Sequence, residues 1–185
     1  MNIKGNFIAP LSRVFAGNGK IVFYSGSVRE VYPQWWGAYS DNSHPTETTN
    51  AIQNAIYSSP TSKYGPSGAV YFHEGIYSIN NTIIIDRWGI RIGGNGASSI
   101  INNSTPNLPA LKIIGIEQFT LENIAIDGDA KDFGTGGTTG NGIELWSAQN
   151  SRFNNVYIRR HGGHGVYIRN GNWLTHFTGC YILAN

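Results

Sequence analysis

The sequence predicts an all-β solenoid, a parallel β-helix with a short N-terminal α-helical cap, and three observations carry that prediction. First, a six-residue pattern recurs. Phe153-Asn154-Asn155-Val156-Tyr157-Ile158 is matched position by position by Phe177-Thr178-Gly179-Cys180-Tyr181-Ile182, 24 residues later, and by Leu121-Glu122-Asn123-Ile124-Ala125-Ile126, 32 residues earlier. Internal periods of about 20 to 50 residues mark solenoids, whose units bury their apolar faces only by stacking on one another. Second, apolar residues within each copy alternate and several are β-branched, a period that makes short strands and not helices. Third, 24 glycines, one cysteine, one methionine and 13% charged residues describe a turn-rich β protein.

The chain of 185 residues has the length of one domain. Residues 1–45 read as an extended segment leading into the cap, and residues 46–185 as the cap helix and the coils, one domain with the preceding segment. In the helix Thr46 is a suitable N-cap, and Ala51, Ile52, Ala55 and Ile56 fall on one face. Such a lid answers a physical need, because the end of a solenoid exposes unpaired strand edges and apolar interior. Strands follow at Ala69-Val70-Tyr71-Phe72, Tyr77-Ser78-Ile79, Thr82-Ile83-Ile84-Ile85, Ile90-Arg91-Ile92 and Ile100-Ile101, separated by Gly, Asn and Ser turns. A companion strand repeats in step with the main one: Leu111-Lys112-Ile113, Ile143-Glu144-Leu145 and Val166-Tyr167-Ile168. Asn123, Asn155 and Gly179 share one register position, where a sharp bend needs the left-handed backbone that Gly and Asn tolerate best. Cys180 lies in an apolar alternation and reads as a buried thiol, and a lone cysteine forms no internal disulfide.

Several partners are excluded at this level. The formal charge is +2 and the basic residues are scattered, so no stripe of Lys and Arg matches a phosphate backbone and no nucleic acid is expected. No charged-then-apolar leader is visible at the start, and no apolar run approaches about 18 residues, so no membrane span is expected.

Four stretches carry a family resemblance: Val31-Tyr32-Pro33-Gln34-Trp35-Trp36-Gly37-Ala38, Thr46 through Ile56, Gly68 through Ile79, and Ile90-Arg91-Ile92-Gly93-Gly94-Asn95-Gly96. In this order they resemble the right-handed parallel β-helices of the pectate-lyase-like superfamily, which includes phage tailspikes and bacterial polysaccharide-degrading enzymes. One departure is visible: the acidic run that often precedes the cap in that family is replaced by Asp41-Asn42-Ser43-His44-Pro45-Thr46-Glu47-Thr48. The resemblance implies polysaccharide recognition, with cleavage by a lyase or a glycoside hydrolase, by an extracellular or virion-associated protein. It also implies a tailspike-like homotrimer, no organic cofactor, calcium as the one candidate ion, and Trp35 and Trp36 packed beneath the cap. The alternative function is a non-catalytic structural or adhesive rod.

Candidate chemistry concentrates after the strands. Polygalacturonase-like hydrolases of the superfamily carry a Gly-His-Gly beside paired aspartates. Here Gly163-His164-Gly165 has no carboxylate on the preceding stretch Ser147 to Arg152, so its glycines read first as a turn. The Gly-rich insertion from Asp127 to Asn141 is the better candidate, and Asp127 registers against Arg159 on the next coil. The catalytic candidates are Asp127, Asp129, Arg159 and His164. For β-elimination, Arg159, Arg160 or His164 serves as base or cation, while Asp127 and Asp129, with Asp132 nearby, hold calcium. For hydrolysis, the carboxylates are drawn from Asp127, Asp129, Asp132 and Glu144. Substrate-binding candidates are aromatic: Tyr157 and Tyr181 at equivalent outward positions, and Trp146 and Trp173 near strand ends, which suit sugar faces or a subunit interface. Lys112 and Glu144 face outward in register as a structural pair.

Overall fold

Apolar alternation at a fixed interval stacks strand upon strand in parallel, and the chain does this throughout. The computed structural model describes residues 1–17, 19–62, 67–105, 107–128 and 140–183. Strands β1 (Asn2–Ile3) and β2 (Val22–Phe23) pair with each other, and β3 (Glu30–Val31) opens the main array. After a 3-10 turn over Pro33–Trp36 comes α1 (Pro45–Ser58), followed by β4 (Ala69–Phe72), β5 (Gly75–Ile79), β6 (Ile83–Ile85), β7 (Arg91–Gly94) and β8 (Ser99–Asn103). The repeat region contributes β9 (Leu111–Ile114), β10 (Thr120–Asp127), β11 (Ile143–Trp146), β12 (Arg152–Arg159), β13 (Val166–Arg169), β14 (His176–Thr178) and β15 (Tyr181–Leu183).

Every pairing among these strands is parallel, and they form three columns: β3-β4-β7-β10-β12-β14, β5-β8-β10-β12-β15 and β6-β9-β11-β13. The long strands β10 and β12 serve two columns because each bends in the middle. Asn123 (φ 51°), Asn155 (φ 52°) and Gly179 (φ 60°) make those bends, as their shared position predicts, and the Asn155 side-chain amide donates to Asn123 Oδ1 at 2.9 Å. Two further left-handed columns stand beside them. Gly115, Ser147 and Asn170 follow β9, β11 and β13, while Gly89, Gln118, Asn150 and Leu174 each precede a strand by two residues. Ser, Gln and Leu have no preference for left-handed backbone, so the stacking of strands imposes the conformation there.

The predicted registers hold: Phe153 lies between Leu121 and Phe177, Tyr157 opposite Tyr181, and Glu144 between Lys112 and Tyr167. Inward-facing residues of all columns merge into one apolar core with Phe72, Ile85, Ile113, Leu121, Phe153 and Ile158 fully buried. No described helix is long and apolar enough to cross a membrane.

The first coil is closed on its outer edge. The strand β3 pairs with β4; Ser40 and Asn42 exchange 2.8 Å backbone hydrogen bonds with Ile76 of β5; and Gln53 of α1 clamps β6 through its side-chain amide. Gln53 Nε2 donates to the Ile84 carbonyl at 2.8 Å and its Oε1 accepts from the Ile84 N–H at 2.9 Å, so one side chain replaces a strand. Ala51, Ile52, Ala55 and Ile56 are buried as the helical pattern predicts. Thr46 is not the N-cap. The helix starts at Pro45, whose ring carries no N–H to satisfy, after His44 in a left-handed conformation, and Thr46 Oγ1 instead accepts from Asn80 Nδ2 at 2.7 Å. Cys180 is only half-buried, with its thiol 3.2 Å from the Phe153 carbonyl, because among the described residues no strand lies beyond β15.

Candidate functional site

Strands β10 and β12 end in register on Asp127 and Arg159. The Asp127 side chain is 1% exposed, and its Oδ2 accepts from Arg159 Nε at 3.0 Å and Arg160 Nη2 at 2.7 Å, while its Oδ1 accepts from Arg160 Nε at 2.6 Å. Arg160 reaches back to the same carboxylate because its backbone is left-handed (φ 59°). Two guanidiniums, 39% and 44% exposed, cover the Asp127 carboxylate. A general base needs an oxygen within reach of substrate, and this one is under a cationic roof. Asp129 and Asp132 lie outside the described residues. Among the described residues no cluster of three metal-ligating side chains occurs.

Below this network His161 is buried, its Nε2 donating to the Ile126 carbonyl at 3.2 Å. Gly128 and Gly142 close around it. A Cβ on Gly128 would stand 2.3 Å from the Arg160 carbonyl oxygen, and one on Gly142 would stand 2.5 Å from the Gly165 carbonyl oxygen and 2.8 Å from the His161 ring. Burial holds the His161 pKa below its usual 6.5, opposed by the Ile126 carbonyl and the Asp127 charge and reinforced by Arg160. The folded chain thus keeps His161 neutral where the unfolded chain takes up a proton. His161 contributes stability above pH 6.5 that is lost as pH falls from 6.5 towards the lower folded value. The melting temperature is expected to drop between pH 7 and pH 5, and to drop less in His161→Gln; equal drops would remove His161 as the cause.

The Gly163-His164-Gly165 stretch does serve as the turn into β13. The His164 N–H donates to Asn141 Oδ1 and its carbonyl accepts from the Gly142 N–H, both at 2.8 Å. Its ring, however, points outward and stacks on Tyr167, with centroids 5.4 Å apart and planes 10° apart. That stack begins a strip along the outer face of the β9-β11-β13 column. Arg169, two residues beyond Tyr167, lies 5.8 Å from the Tyr167 ring and 4.3 Å from that of Trp146. Lys112 places its ammonium 3.9 Å from the Trp146 centroid, so strands on both sides of β11 send a cation to this indole. The predicted register of Lys112 with Glu144 holds, yet the ammonium turns to the ring. Glu144 accepts instead from Asn141 Nδ2 at 2.8 Å and Trp146 Nε1 at 3.2 Å, which fixes the indole in place. Two stacked rings, His164 and Tyr167, lead through Arg169 and Trp146 to Lys112, with the Glu144 carboxylate beside them. Cations over aromatic faces contribute about 0.5–1 kcal/mol each at exposed sites, which restrains these side chains against one another.

The structure thus divides the predicted site residues. Asp127 and Arg159 come together. Tyr157 and Tyr181 form the predicted ladder, 4.9 Å apart and 6° from parallel, on the column that ends in β15. Trp146 and His164 belong to the strip, and Trp173 stands 66% exposed in the connection between β13 and β14, without a ring partner among the described residues. Tyr167 and Arg169 were not among the sequence candidates. Their signal was present in the repeat, since they occupy the outward positions of β13 in register with Glu144 and Trp146.

No protein-family model and no curated protein matches this chain. Solved structures do. A protein of Geobacillus virus E2 shares 27% identity with a TM-score of 0.65 over 75% of this chain and 27% of its own. The Dettilon tailspike protein shares 18% identity with a TM-score of 0.63 over 82% of this chain and 29% of its own. A pectin methylesterase variant in complex with a hexasaccharide shares 17% identity with a TM-score of 0.52 over 70% of this chain and 43% of its own. The chain spans less than a third of the first two. Its stacked parallel strands follow the same backbone course as strands in a viral protein, a tailspike and an esterase captured with a sugar chain.

Proposed function

We propose that this chain is a right-handed parallel β-helix of the pectate-lyase-like kind that recognises a polysaccharide, as part of an extracellular or virion-associated protein. The observation that carries the reading is the strip from His164 to Lys112. It offers the outward stack of His164 on Tyr167 for the apolar face of a sugar ring, and Glu144, Arg169 and Lys112, ordered around the Trp146 indole, for its polar edge. The fold shared with a tailspike and with an esterase that holds a hexasaccharide supports it. Recognition without cleavage is favoured over turnover because Asp127, the described carboxylate of the insertion, is covered by two guanidiniums. The proposal places no calcium at Asp127, where a dication would compete with those same cations.

The test is binding to a panel of acidic and neutral polysaccharides, with the mixtures then analysed by mass spectrometry. Trp146→Ala is expected to weaken binding at least about thirtyfold, as loss of a central aromatic anchor does, with the polysaccharide recovered uncut. Unchanged affinity would sink the strip as the site, and unsaturated or water-added oligosaccharides would restore a lyase or hydrolase. Assembly into a homotrimer is a separate proposal, supported by the tailspike likeness and read from the mass in solution. A monomeric mass at working concentration would reject it and leave sugar binding untouched.

A further inference from the structure

Two clefts lie against the cap. One of about 610 Å³ and one of about 760 Å³ share Gly17, Trp36, Asn50 and Asn54, and so form one groove between the N-terminal segment and the outer face of α1. Each is in the range of about 300–1,000 Å³ usual for ligand sites. The adjacent tryptophans of the Pro33–Trp36 turn divide their roles there. Trp35 is buried and its indole N–H donates to the Pro10 carbonyl at 3.0 Å. Trp36 anchors one side of its ring on Phe15, 4.9 Å away, and is partly exposed on the groove floor, where its N–H meets no acceptor among the described residues. Asn50 and Asn54, one helical turn apart, are exposed on the wall, and neither side-chain amide makes a hydrogen bond to a described residue. Gln53, beside them, is by contrast committed to β6. The helix therefore spends one amide on the fold and leaves two facing the groove.

We propose that this groove is a second saccharide site, taking a short stretch of neutral sugar chain. The inference rests on the polysaccharide reading above and adds a site to it. An indole face with an open N–H and two amides on one wall match a pyranose, which offers an apolar face and a rim of hydroxyls that both donate and accept. The charged residues lining the groove balance: Arg13, Lys20 and Arg87 against Asp41, Glu47 and Asp86. A chain of uronates gains no net attraction there, whereas a neutral one loses nothing.

Titrating the full chain with cellohexaose, maltohexaose and chitohexaose, and with hexagalacturonate as the acidic counterpart, tests this by NMR. A neutral hexasaccharide is expected to shift the Trp36 indole N–H and the Asn50 and Asn54 side-chain signals along one isotherm. Asn54→Trp, which fills the groove from an exposed helix position, is expected to weaken that isotherm at least about tenfold. Trp36→Phe, which keeps the packing on Phe15, is expected to weaken it about fivefold, the worth of one neutral hydrogen bond. Trp146→Ala leaves it in place. Shifts confined to the Trp146 strip overturn the groove while polysaccharide recognition stands, and so does a groove isotherm indifferent to both groove variants. Silence at the groove and the strip with every probe overturns both.

Discussion

Phe153→Ala is expected to destabilise the chain by about 3–5 kcal/mol, the range for deleting a fully buried aromatic side chain. Phe153 has no exposed surface, packs edge-on to Phe119 at 5.8 Å and stacks on Phe177 at 4.6 Å, with Leu121 opposite it on the previous coil. Its removal opens a void between two rigid layers of strands, which cannot close without breaking the ladder on one side. At this chain length each kcal/mol lowers the melting temperature by about 2–4 °C. Phe177 supplies the control. It occupies the same place in the repeat one coil later but is 38% exposed, so Phe177→Ala is expected to cost about 1–2 kcal/mol. Urea unfolding of the two variants side by side distinguishes place in the stack from place in the motif. Equal losses would mean that Phe177 is as enclosed as Phe153 in solution, and that the surface formed by Phe177, Ile182 and Leu183 is covered.

That pair of phenylalanines also shows what a single sequence reveals. Their 24-residue offset is visible without coordinates, because alternation and repeat period act through neighbours that the sequence itself aligns. The bend at Asn123, Asn155 and Gly179 was legible for the same reason, since two residue types that tolerate left-handed backbone recur at one position. The bends at Gln118, Ser147 and Leu174 were not, because there the stack overrides local preference. The site followed the same division. The register of Asp127 with Arg159 and of Tyr157 with Tyr181 could be counted off, but burial could not. Whether Asp127 faces solvent depends on Arg160 turning back through a left-handed residue, a conformation that an arginine does not advertise. The cap was misplaced by two residues: His44 holds the N-cap position, and Pro45, which has no N–H to satisfy, takes the first helical position. Trp36 was legible only as part of a motif, since its neighbour Trp35 has the same identity and the opposite environment.

The largest polar effect should come from the arginines and not from the aspartate. Replacing Arg159 and Arg160 together with alanine is expected to cost about 3–5 kcal/mol, whereas Asp127→Ala is expected to cost about 1–2 kcal/mol. The asymmetry follows from exposure. The carboxylate is 1% exposed and has given up its hydration, so losing both guanidiniums leaves the protein paying for a buried charge; the guanidiniums are 39% and 44% exposed and can turn to water when the carboxylate goes. Between the single variants Arg160→Ala should be worse than Arg159→Ala, because Arg160 donates two of the three described hydrogen bonds and Arg159 one. Urea midpoints rank the four proteins, and an aspartate variant less stable than the double arginine variant would show that the guanidiniums, not the carboxylate, are the stranded charges. The consequence reaches the strip. Arg160 begins the turn through His161 to Gly165 that delivers His164 onto Tyr167, so a chain that loses this anchor should also bind polysaccharide less tightly while Trp146, Lys112 and Arg169 are untouched. The ion network is in this sense the hinge pin of the proposed recognition surface, and a loss of affinity that tracks the loss of stability across the three arginine variants is the result that ties the two together.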